Sequence, residues 1–406
     1  MTTTGTTALA NEIKPLYDAD FYMAGQSMVY FDQFADLRKV MNGQRGSSHN
    51  FPIVESTQPN AGTLTELQDV AAQQMRVNEV SVTLSEYGGA IEVTKLSVAV
   101  AYADVYKQAA YNNGYNLAES LDMVVRAVAG QGSRQFFQGA RTARSGFSGI
   151  DTAADRCTAA YIEMLGMLAK SIKMPLYEDG TVCTAMHPFP FYDLLQNSDV
   201  RTMASRQNPE ILFNGELGYW GGVRIIVAPS AKAFWGAGAT HPTASLSTTL
   251  AADADVEDTN LKVTSVTNAA VGQWFAINDA EETGNTWSDT NELFRVTAVG
   301  TAGSGGTGLD GFVLDPGPGD GGGLRYAHAS GKTFKNNNSV YPLCLLGPNS
   351  ITKACSSFTG PYGETVISGP FDRLGRFLNF GWYAILGYNR TRNGWLLRGE
   401  VGSSQT

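Results

Sequence analysis

The sequence has few of the residues that hold cross-linked or metal-centred proteins together. Its 406 residues include four histidines and four cysteines, Cys157, Cys183, Cys344 and Cys355, none of them in a CxxC spacing. We therefore expect neither a disulfide framework nor a zinc site, and we expect reduced thiols in a protein made in the cytosol. No run of about 18 apolar residues occurs, which argues against a membrane-spanning helix. The first residues, MTTTGTTALANEIKP, have neither the basic nor the apolar part of a secretion signal.

Charged residues are scarce as well. They make up 17% of the chain, against about 25% in an average soluble protein, whereas glycine is abundant at 45 residues. The hydrophobic share of 43% and the aromatic share of 10% exclude a disordered or coiled-coil chain. Because charged residues are depleted at the cores of interfaces, the composition favours a subunit that covers much of its surface in contacts. The length predicts two or three domains.

The net charge of −9 comes from one stretch of the chain. Residues 251–320 contain twelve acidic and two basic side chains, whereas the rest of the chain has 26 acidic and 27 basic ones. The overall acidity argues against DNA recognition by a basic surface. The acidic stretch lies within residues 236–338, which we call the insert, where short β candidates alternate with glycine-rich turns. This pattern predicts a small barrel or sandwich flanked by linkers. The candidates are Asn260–Thr267, Gln273–Asn278, Glu292–Val299 and Gly311–Leu314.

One hairpin is predicted before the insert. In RVNEVSVTLSEYGGAIEVTKLSV, apolar and polar residues alternate on both sides of two adjacent glycines. Two glycines supply the positive φ angles that a tight hairpin turn requires, so we expect a ribbon with one apolar face that covers something. Its candidate contact residues are Val80, Val82, Leu84, Tyr87, Gly88, Gly89, Ile91 and Val93.

Helices and an α/β layer follow the hairpin. Asn116 is a predicted helix cap, with Glu119 as its capping-box partner. The residues predicted to share one face of that long helix are Leu117, Leu121, Val124, Val125, Val128 and Phe136. A second helix is predicted over residues 155–172. Beyond it, TVCTAMHP indicates a buried strand, PFYDLLQN a helix begun by proline, and GYWGGVRIIVAPS a tight turn into the strand Val223–Val227.

Three local motifs lack the neighbouring residues or elements that their usual functions require. Gly317, Gly319 and Gly322 match GxGxxG, but no helix follows to face a pyrophosphate. The SGKT at residues 330–333 lacks the first glycine of a phosphate-binding loop. The acidic run that starts at Asp253 lacks the glycine and the closing glutamate of a calcium loop. We find no nucleophile or metalloprotease motif and therefore predict no catalytic, cofactor-binding or metal-binding residue.

The order of these elements resembles that of the major capsid proteins of tailed bacteriophages with the Hong Kong 97 fold, and within them the branch named for the coliphage N-four. The segments that carry the resemblance are VSVTLSEYGGAIEVTKLS, NLAESLDMVVRAVAGQGSRQFFQG, TAMHPFPFYDLLQN, GYWGGVRIIVAPS and GRFLNFGWYAILGYNRTRNGWLLRGE. They frame most of the chain outside the insert. Two features depart from the family: the insert is not part of the minimal fold, and Ser85 and Glu86 stand where relatives often carry basic or amide residues.

The resemblance implies an α+β fold with five parts and a contact between the hairpin residues and an adjacent subunit. The parts are an N-terminal arm (1–50), an extension loop with the β-hairpin (51–96), a peripheral domain with the spine helix (97–179 and 361–406), an axial domain (180–235 and 339–360) and an inserted small all-β domain (236–338). A two-stranded ribbon is marginal alone in water, which also calls for a neighbour. If so, replacing Val82 and Leu84 by Asp should leave soluble, unassembled protein.

The implied function is structural rather than enzymatic. The chain would assemble through hexamers and pentamers into the icosahedral head of a tailed phage and enclose its double-stranded DNA, without cofactor or membrane. Its partners would be neighbouring capsid subunits and packaged DNA held non-specifically, and the resemblance leaves room for portal, scaffold or decoration proteins. It would be located in the virion after assembly in the host cytoplasm.

The uneven charge fits this interpretation. A shell around dense DNA avoids a negative lining, so we expect the acidic insert on the outer surface. Several arginines make the spine-helix region basic, either as a DNA-facing lining or as an ordinary solvated face. They are Arg126, Arg134, Arg141, Arg144 and Arg156.

Two other classes of protein remain as alternatives. One is an extracellular or surface binding module whose acidic β domain recognises carbohydrate or calcium, although a secretion signal is missing. The other is an α/β hydrolase with a β-domain insertion, which would need a nucleophile that the sequence does not reveal. Particle size separates them, because a capsid protein forms capsomers or megadalton shells and the alternatives stay small.

Overall fold

The computed structural model describes residues 29–41, 47–64, 66, 69–70, 72–101, 105–207, 218–241, 246–278, 288–303, 311–314, 323–369 and 374–405. The helices are α1 Lys95–Val100, α2 Val105–Gly130, α3 Ala159–Ser171, α4 Pro188–Gln196 and α5 Ser198–Gln207. The strands are β1 Ala35–Met41, β2 Ser48–Val54, β3 Val77–Thr83, β4 Ser85–Thr94, β5 Arg134–Phe137, β6 Val182–Met186, β7 Tyr219–Trp220, β8 Val223–Val227, β9 Ser247–Thr249, β10 Asn260–Lys262, β11 Trp274–Asn278, β12 Glu292–Val299, β13 Gly311–Leu314, β14 Thr333–Lys335, β15 Val340–Leu346, β16 Ile351–Ser356, β17 Glu364–Ser368, β18 Phe377–Arg390 and β19 Leu396–Gly402. None of the described helices is long and apolar enough to cross a membrane.

The strands form three sheets and one two-stranded ribbon. The long-strand sheet has the order β1-β16-β18-β17, and β4 also pairs with β18. The mixed sheet has the order β5-β19-β15-β6-β8-β7 and combines parallel with antiparallel pairs. The insert sheet has the order β10-β13-β12-β11-β14-β9, and β2 pairs with β3. Together with the helices, these sheets make the mixed α+β fold that the sequence predicts.

The predicted hairpin around the two glycines is wrong. Strand β3 pairs with β2, whereas β4 runs straight through both glycines and pairs with β18 from end to end. A Cβ atom on Gly89 would lie 2.9 Å from Nε1 of Trp382, and one on Gly88 would lie 3.0 Å from the carbonyl oxygen of Trp382. These glycines therefore allow β4 and β18 to approach closely rather than turning the chain. The two-glycine turn is instead at Gly221 and Gly222, whose φ angles of 57° and 84° join β7 to β8.

The long helix α2 packs on β18 and β4, but the sequence places its ends incorrectly. It begins at Val105, so Asn116 lies inside the helix, where its Oδ1 accepts a hydrogen bond from Nε1 of Trp382 at 2.9 Å. Residues 105–115 are rich in Tyr, Asn and Gly, which have modest or low helix propensity and conceal the first turns. The helix ends at Gly130, and Phe136 belongs to β5 rather than to the helix face.

The mixed sheet contains the largest apolar core. Its strands β6, β15 and β19 are buried along their whole length, and α3 and α4 supply further buried side chains such as Leu165 and Leu194. The predicted buried strand, the helix that begins with proline and the strand Val223–Val227 are confirmed as β6, α4 and β8. The predicted second helix is confirmed as α3, with narrower bounds.

The sheets do not follow the predicted domain boundaries. Strands β5 and β19, from the predicted peripheral domain, pair in the mixed sheet with strands of the predicted axial domain. Strand β16, from the predicted axial segment, pairs with β18 and β1 in the long-strand sheet. Pairing between segments far apart in sequence leaves no local pattern from which these boundaries could be predicted.

The insert has a sheet and an apolar core of its own. Strands β12 and β13 have the predicted bounds, and β10 and β11 are shorter than predicted. The flanks predicted as linkers contain two further strands, β9 and β14. Phe334 of β14 lies within the core, stacked at 5.0 Å from both Phe275 and Phe312. Strands of three residues are too short to produce the alternation that identifies a strand.

The two ends of the insert run side by side as a neck. Phe234 and Val340 exchange two backbone hydrogen bonds, of 2.8 and 3.1 Å, at the first residue of β15 in the mixed sheet. A second isolated bridge joins Thr240 to Asn337. The chain therefore leaves and re-enters the mixed sheet at adjacent points.

Candidate assembly surfaces

The ribbon consists of β2, β3 and the residues between them, 55–76. Its strands pair from Ser48 opposite Thr83 to Val54 opposite Val77. Every described residue from 56 to 79 is exposed, including apolar side chains: 71% of Leu64 and 65% of Met75 is accessible. Exposed apolar side chains grouped on a segment without a core are typical of a contact surface. The other large apolar residues exposed here are Val54, Val70 and Val77.

The base of the ribbon is fixed to its own subunit. Val82 is fully buried, and Nδ2 of Asn389 in β18 donates a hydrogen bond to the carbonyl oxygen of Ser81 at 2.6 Å. Gly387 in β18 has no room for a Cβ atom, because the carbonyl group of Thr83 occupies that space. The ribbon is thus held at one end, while the described residues of its other end, within 56–79, are all exposed.

The structure divides the predicted contact residues between two environments. Val82 lies in the core of its own subunit, and Val80 and Leu84 beside it are half-buried. The remaining five lie on β4, where they pair with β18 of the same chain; they are Tyr87, Gly88, Gly89, Ile91 and Val93. The proposed double substitution of Val82 and Leu84 by Asp would therefore disrupt folding rather than test assembly. The exposed apolar residues of the ribbon were missed because TLTELQDVAAQQM has no strand or helix period, although unpartnered Leu, Val and Met in polar sequence are a usable signal.

A second apolar surface surrounds the edge strand β17. All five residues of β17 are exposed, and β17 pairs only with β18 in the part of the chain that the structure describes. Phe358 is 78% accessible, and Tyr362, Ile367 and Leu374 are exposed as well. An edge strand offers unpaired backbone groups, and here apolar side chains accompany them. This surface can accept another strand or an apolar segment.

The arginines of the spine-helix region are mostly engaged inside the chain. Arg144 is buried and stacks on the ring of Phe234 at 3.5 Å, so it is neither a solvated residue nor a lining for DNA. Arg134 is exposed. The remaining contacts are Arg126 to Asp289 at 2.5 Å, Arg141 to Asp155 at 2.9 Å, Arg144 to Glu400 at 2.8 Å, and Arg156 to the carbonyl oxygens of Gly149 and Ile150 at 2.6 and 2.7 Å. For the buried Arg144 the prediction of a basic face is therefore wrong, and for the other four residues it stays a prediction.

Burial in the core shifts the pKa values of several titratable side chains. Burial raises the pKa of Cys157, and it raises the pKa of Cys344 to about 12, so both stay protonated and unreactive near neutral pH. Burial lowers the pKa of His187 to about 4. Its ring contacts the rings of Trp235 and Tyr341, and its Nδ1 accepts the backbone N–H of Phe189 at the start of α4. Among the described residues, no group of three His, Cys, Asp or Glu side chains could hold a metal ion.

Comparison with known proteins gives matches in structure only. No protein-family model matches the sequence, and neither does any curated protein sequence. The chain is similar to the capsid of Ralstonia phage GP4 (TM-score 0.56, 10% identity, 96% of this chain and 95% of that chain). It is also similar to the capsid structure of cyanophage P-SCSP1u (0.56, 11%, 98% and 96%) and to the capsid of cyanophage Pam1 (0.56, 13%, 98% and 98%). The chain therefore has the fold of phage capsid proteins.

Proposed function

We propose that this chain is the major capsid protein of a tailed phage with the Hong Kong 97 fold, close to the branch named for the coliphage N-four. It assembles through hexamers and pentamers into an icosahedral head around double-stranded DNA. The observation that carries the proposal is the shared fold over 96–98% of this chain and 95–98% of three phage capsid proteins. The protein would be found in virions, after assembly in the host cytoplasm.

The exposed end of the ribbon supplies the contact between subunits. A two-stranded ribbon without a core is marginal in water, so its apolar side chains need a surface that the same chain does not provide. The edge strand β17 and its apolar neighbours form a surface of matching character on another copy. We assign the exposed end of the ribbon, residues 56–79 of the predicted extension loop, to this role, and β4 to the subunit's own sheet.

The other predicted parts enter the proposal with this change. The insert faces outward, because its acidity would repel packaged DNA. The mixed sheet contributes to the axial part of the subunit, and α2 with the long-strand sheet contributes to the peripheral part. Portal, scaffold and decoration proteins are further partners.

The test separates folding from assembly. A variant with Leu64→Asp, Val70→Asp and Met75→Asp changes only exposed residues, so the subunit should fold and unfold as the parent does. We expect electron microscopy and light scattering to detect no shells. The three aspartates would have to be buried in the contact between subunits, and burying unpaired charges is costly. The matched control carries Val256→Asp and Val271→Asp, which are exposed on the insert, and should assemble normally. Normal shells from the ribbon variant would contradict the assigned role, and an unmodified protein that stays monomeric under all assembly conditions would contradict the function.

A further inference from the structure

Three charged residues on one face of α2 together bind three separate parts of the chain. Glu119, Asp122 and Arg126 are spaced by three and four residues, so their side chains lie along the same side of the helix. Their partners come from the arm base, which we define as residues 29–34, from the loop that follows β8, and from the insert. This face is therefore a junction of segments that are far apart in sequence.

Asp122 holds the arm base. Its Oδ1 accepts hydrogen bonds from the backbone N–H groups of Tyr30, Phe31 and Asp32, at 3.0, 2.6 and 3.3 Å. The carboxylate is buried, so these bonds are shielded from water. A charged acceptor with three backbone donors is a strong local anchor.

Arg126 and Glu119 hold the insert by polar contacts. Nη2 of Arg126 lies 2.5 Å from Oδ1 of Asp289, and Nη2 of Arg325 lies 2.6 Å from Oε1 of Glu119. The buried apolar residues of the insert form a cluster separate from the clusters of the rest of the chain. The insert therefore meets α2 through these ion pairs, while its buried apolar cluster is its own.

Ser230, in the loop after β8, connects the two anchors. Its hydroxyl donates to Oδ2 of Asp122 at 3.3 Å, and its carbonyl oxygen accepts from Nη1 of Arg126 at 2.5 Å. One residue thus contacts both the group that holds the arm base and the group that holds the insert. The pair between Glu119 and Arg325 has no hydrogen bond to Ser230.

We propose that Asp122, Ser230 and Arg126 couple the arm base to the insert, so that loss of either contact loosens the other. Residues that share one hydrogen-bond network show interaction energies that distant residues do not. Such coupling is reciprocal by thermodynamic necessity. The arm base and the insert would therefore change position together, although they do not belong to one apolar core.

Hydrogen exchange of the full-length chain, followed by mass spectrometry, tests the coupling. In Arg126→Ala, we expect a peptide covering residues 29–36 to exchange about fivefold faster or more, the lower end of typical coupling between sites. In Asp122→Ala, a peptide covering residues 288–295 should accelerate by the same factor. Asp289→Asn breaks the same ion pair from the insert side and serves if Arg126→Ala does not fold.

The matched control is Arg325→Ala, which breaks the other ion pair between the insert and α2. It should accelerate exchange around residues 323–328 and leave residues 29–36 unchanged, because Glu119 has no hydrogen bond to Ser230. The coupling is overturned if residues 29–36 exchange within about twofold of the parent rate in Arg126→Ala, or in Asp289→Asn where that variant is used instead. Equal acceleration of residues 29–36 in Arg325→Ala overturns it too, because the insert would then act as a whole rather than through Ser230.

Discussion

The mixed sheet and the ribbon differ in how far a single chain completes them. In the mixed sheet, every residue of β15 and β19 is buried, and the buried charge of Glu400 has Arg144 and Arg398 as partners in the same chain. In the ribbon, every described residue from 56 to 79 is exposed. Under the proposed function, the mixed sheet governs the folding of the chain, and the ribbon governs its contacts with other copies. Changes in the two regions should therefore affect different measurements.

The largest effect on folding is expected from Glu400→Leu. Glu400 is fully buried, and its carboxylate lies 2.8 Å from Nε of Arg144 and 2.9 Å from Nε of Arg398. Its removal leaves two buried guanidinium groups without a counter-charge, which should lower the free energy of unfolding by about 3–5 kcal/mol. Urea denaturation of the unassembled chain measures the change.

Arg224→Ala is the matched control for this substitution, because Asp179 also accepts two hydrogen bonds from Thr181. It breaks the pair of Asp179 with Arg224, which is exposed, and exposed pairs contribute about 0–1 kcal/mol. Similar losses from both substitutions would remove the distinction between a buried network and an exposed pair.

A smaller effect is expected from the protonation of His187. Burial lowers its pKa from 6.5 to about 4, so the unfolded chain binds a proton first as the pH falls. The stability from neutral His187 is complete above about pH 6.5, declines below that pH and reaches its minimum below about pH 4. Between pH 7 and pH 4, the parent should lose on the order of 2–3 kcal/mol more than His187→Asn, which keeps a capping side chain. Parallel pH profiles of the two proteins would show that His187 is not held neutral.

A modest effect is expected in the long-strand sheet, where β4 lies close to β18. Gly89→Ala places a Cβ atom 2.9 Å from Nε1 of Trp382 and 3.2 Å from Oδ1 of Asn116. We expect a loss of about 1–3 kcal/mol from overpacking. Gly114→Ala is the contrast, since no atom lies within 4 Å of the added Cβ in α2, and it should gain up to about 1 kcal/mol. Thermal unfolding of both variants measures whether each substitution lowers or raises stability. A stabilising Gly89→Ala would contradict the close approach of β4 to β18.

The smallest effect on folding is expected from the ribbon variant with Leu64→Asp, Val70→Asp and Met75→Asp. All three side chains are exposed, so the free energy of unfolding of the unassembled chain should change by less than about 0.5 kcal/mol per substitution. The same variant should abolish assembly, which Glu400→Leu affects only through folding. A ribbon variant that unfolds readily would show that the ribbon belongs to the subunit's own core.

The sequence predicts elements best where one local pattern determines them. Strand β8 has the predicted bounds because a short segment, apolar except for Arg224, follows a two-glycine turn, and β12 and β13 also have the predicted bounds. The pair Gly88 and Gly89 was misread because a glycine required for close approach and a glycine required for positive φ look identical in sequence. Only the position of Trp382, almost three hundred residues away, distinguishes the two.

The candidate site was harder to predict than the fold. Alternation of apolar and polar residues along β3 and β4 correctly indicates strands. It cannot distinguish a strand face covered by the same chain from one covered by another subunit. Val82 and Val93 pack inside their own subunit, whereas Leu64 and Met75, which follow no period, are exposed. The arginines show the same limit, since Arg144 meets its partner Glu400 only through the pairing of β5 with β19 and the folding of the loop after β5.

The neck between Phe234 and Val340 should allow the insert to be replaced by another segment. Two backbone hydrogen bonds join Phe234 to Val340 there. The mixed sheet should therefore keep the same end points for any segment inserted between these two residues. The entropic cost of closing a flexible loop rises by only about 0.6 kcal/mol for each doubling of its length, so insertions of different size between these strands should differ in that cost by a few kcal/mol at most. A foreign peptide or domain grafted between these residues would be presented by a scaffold that keeps its own core.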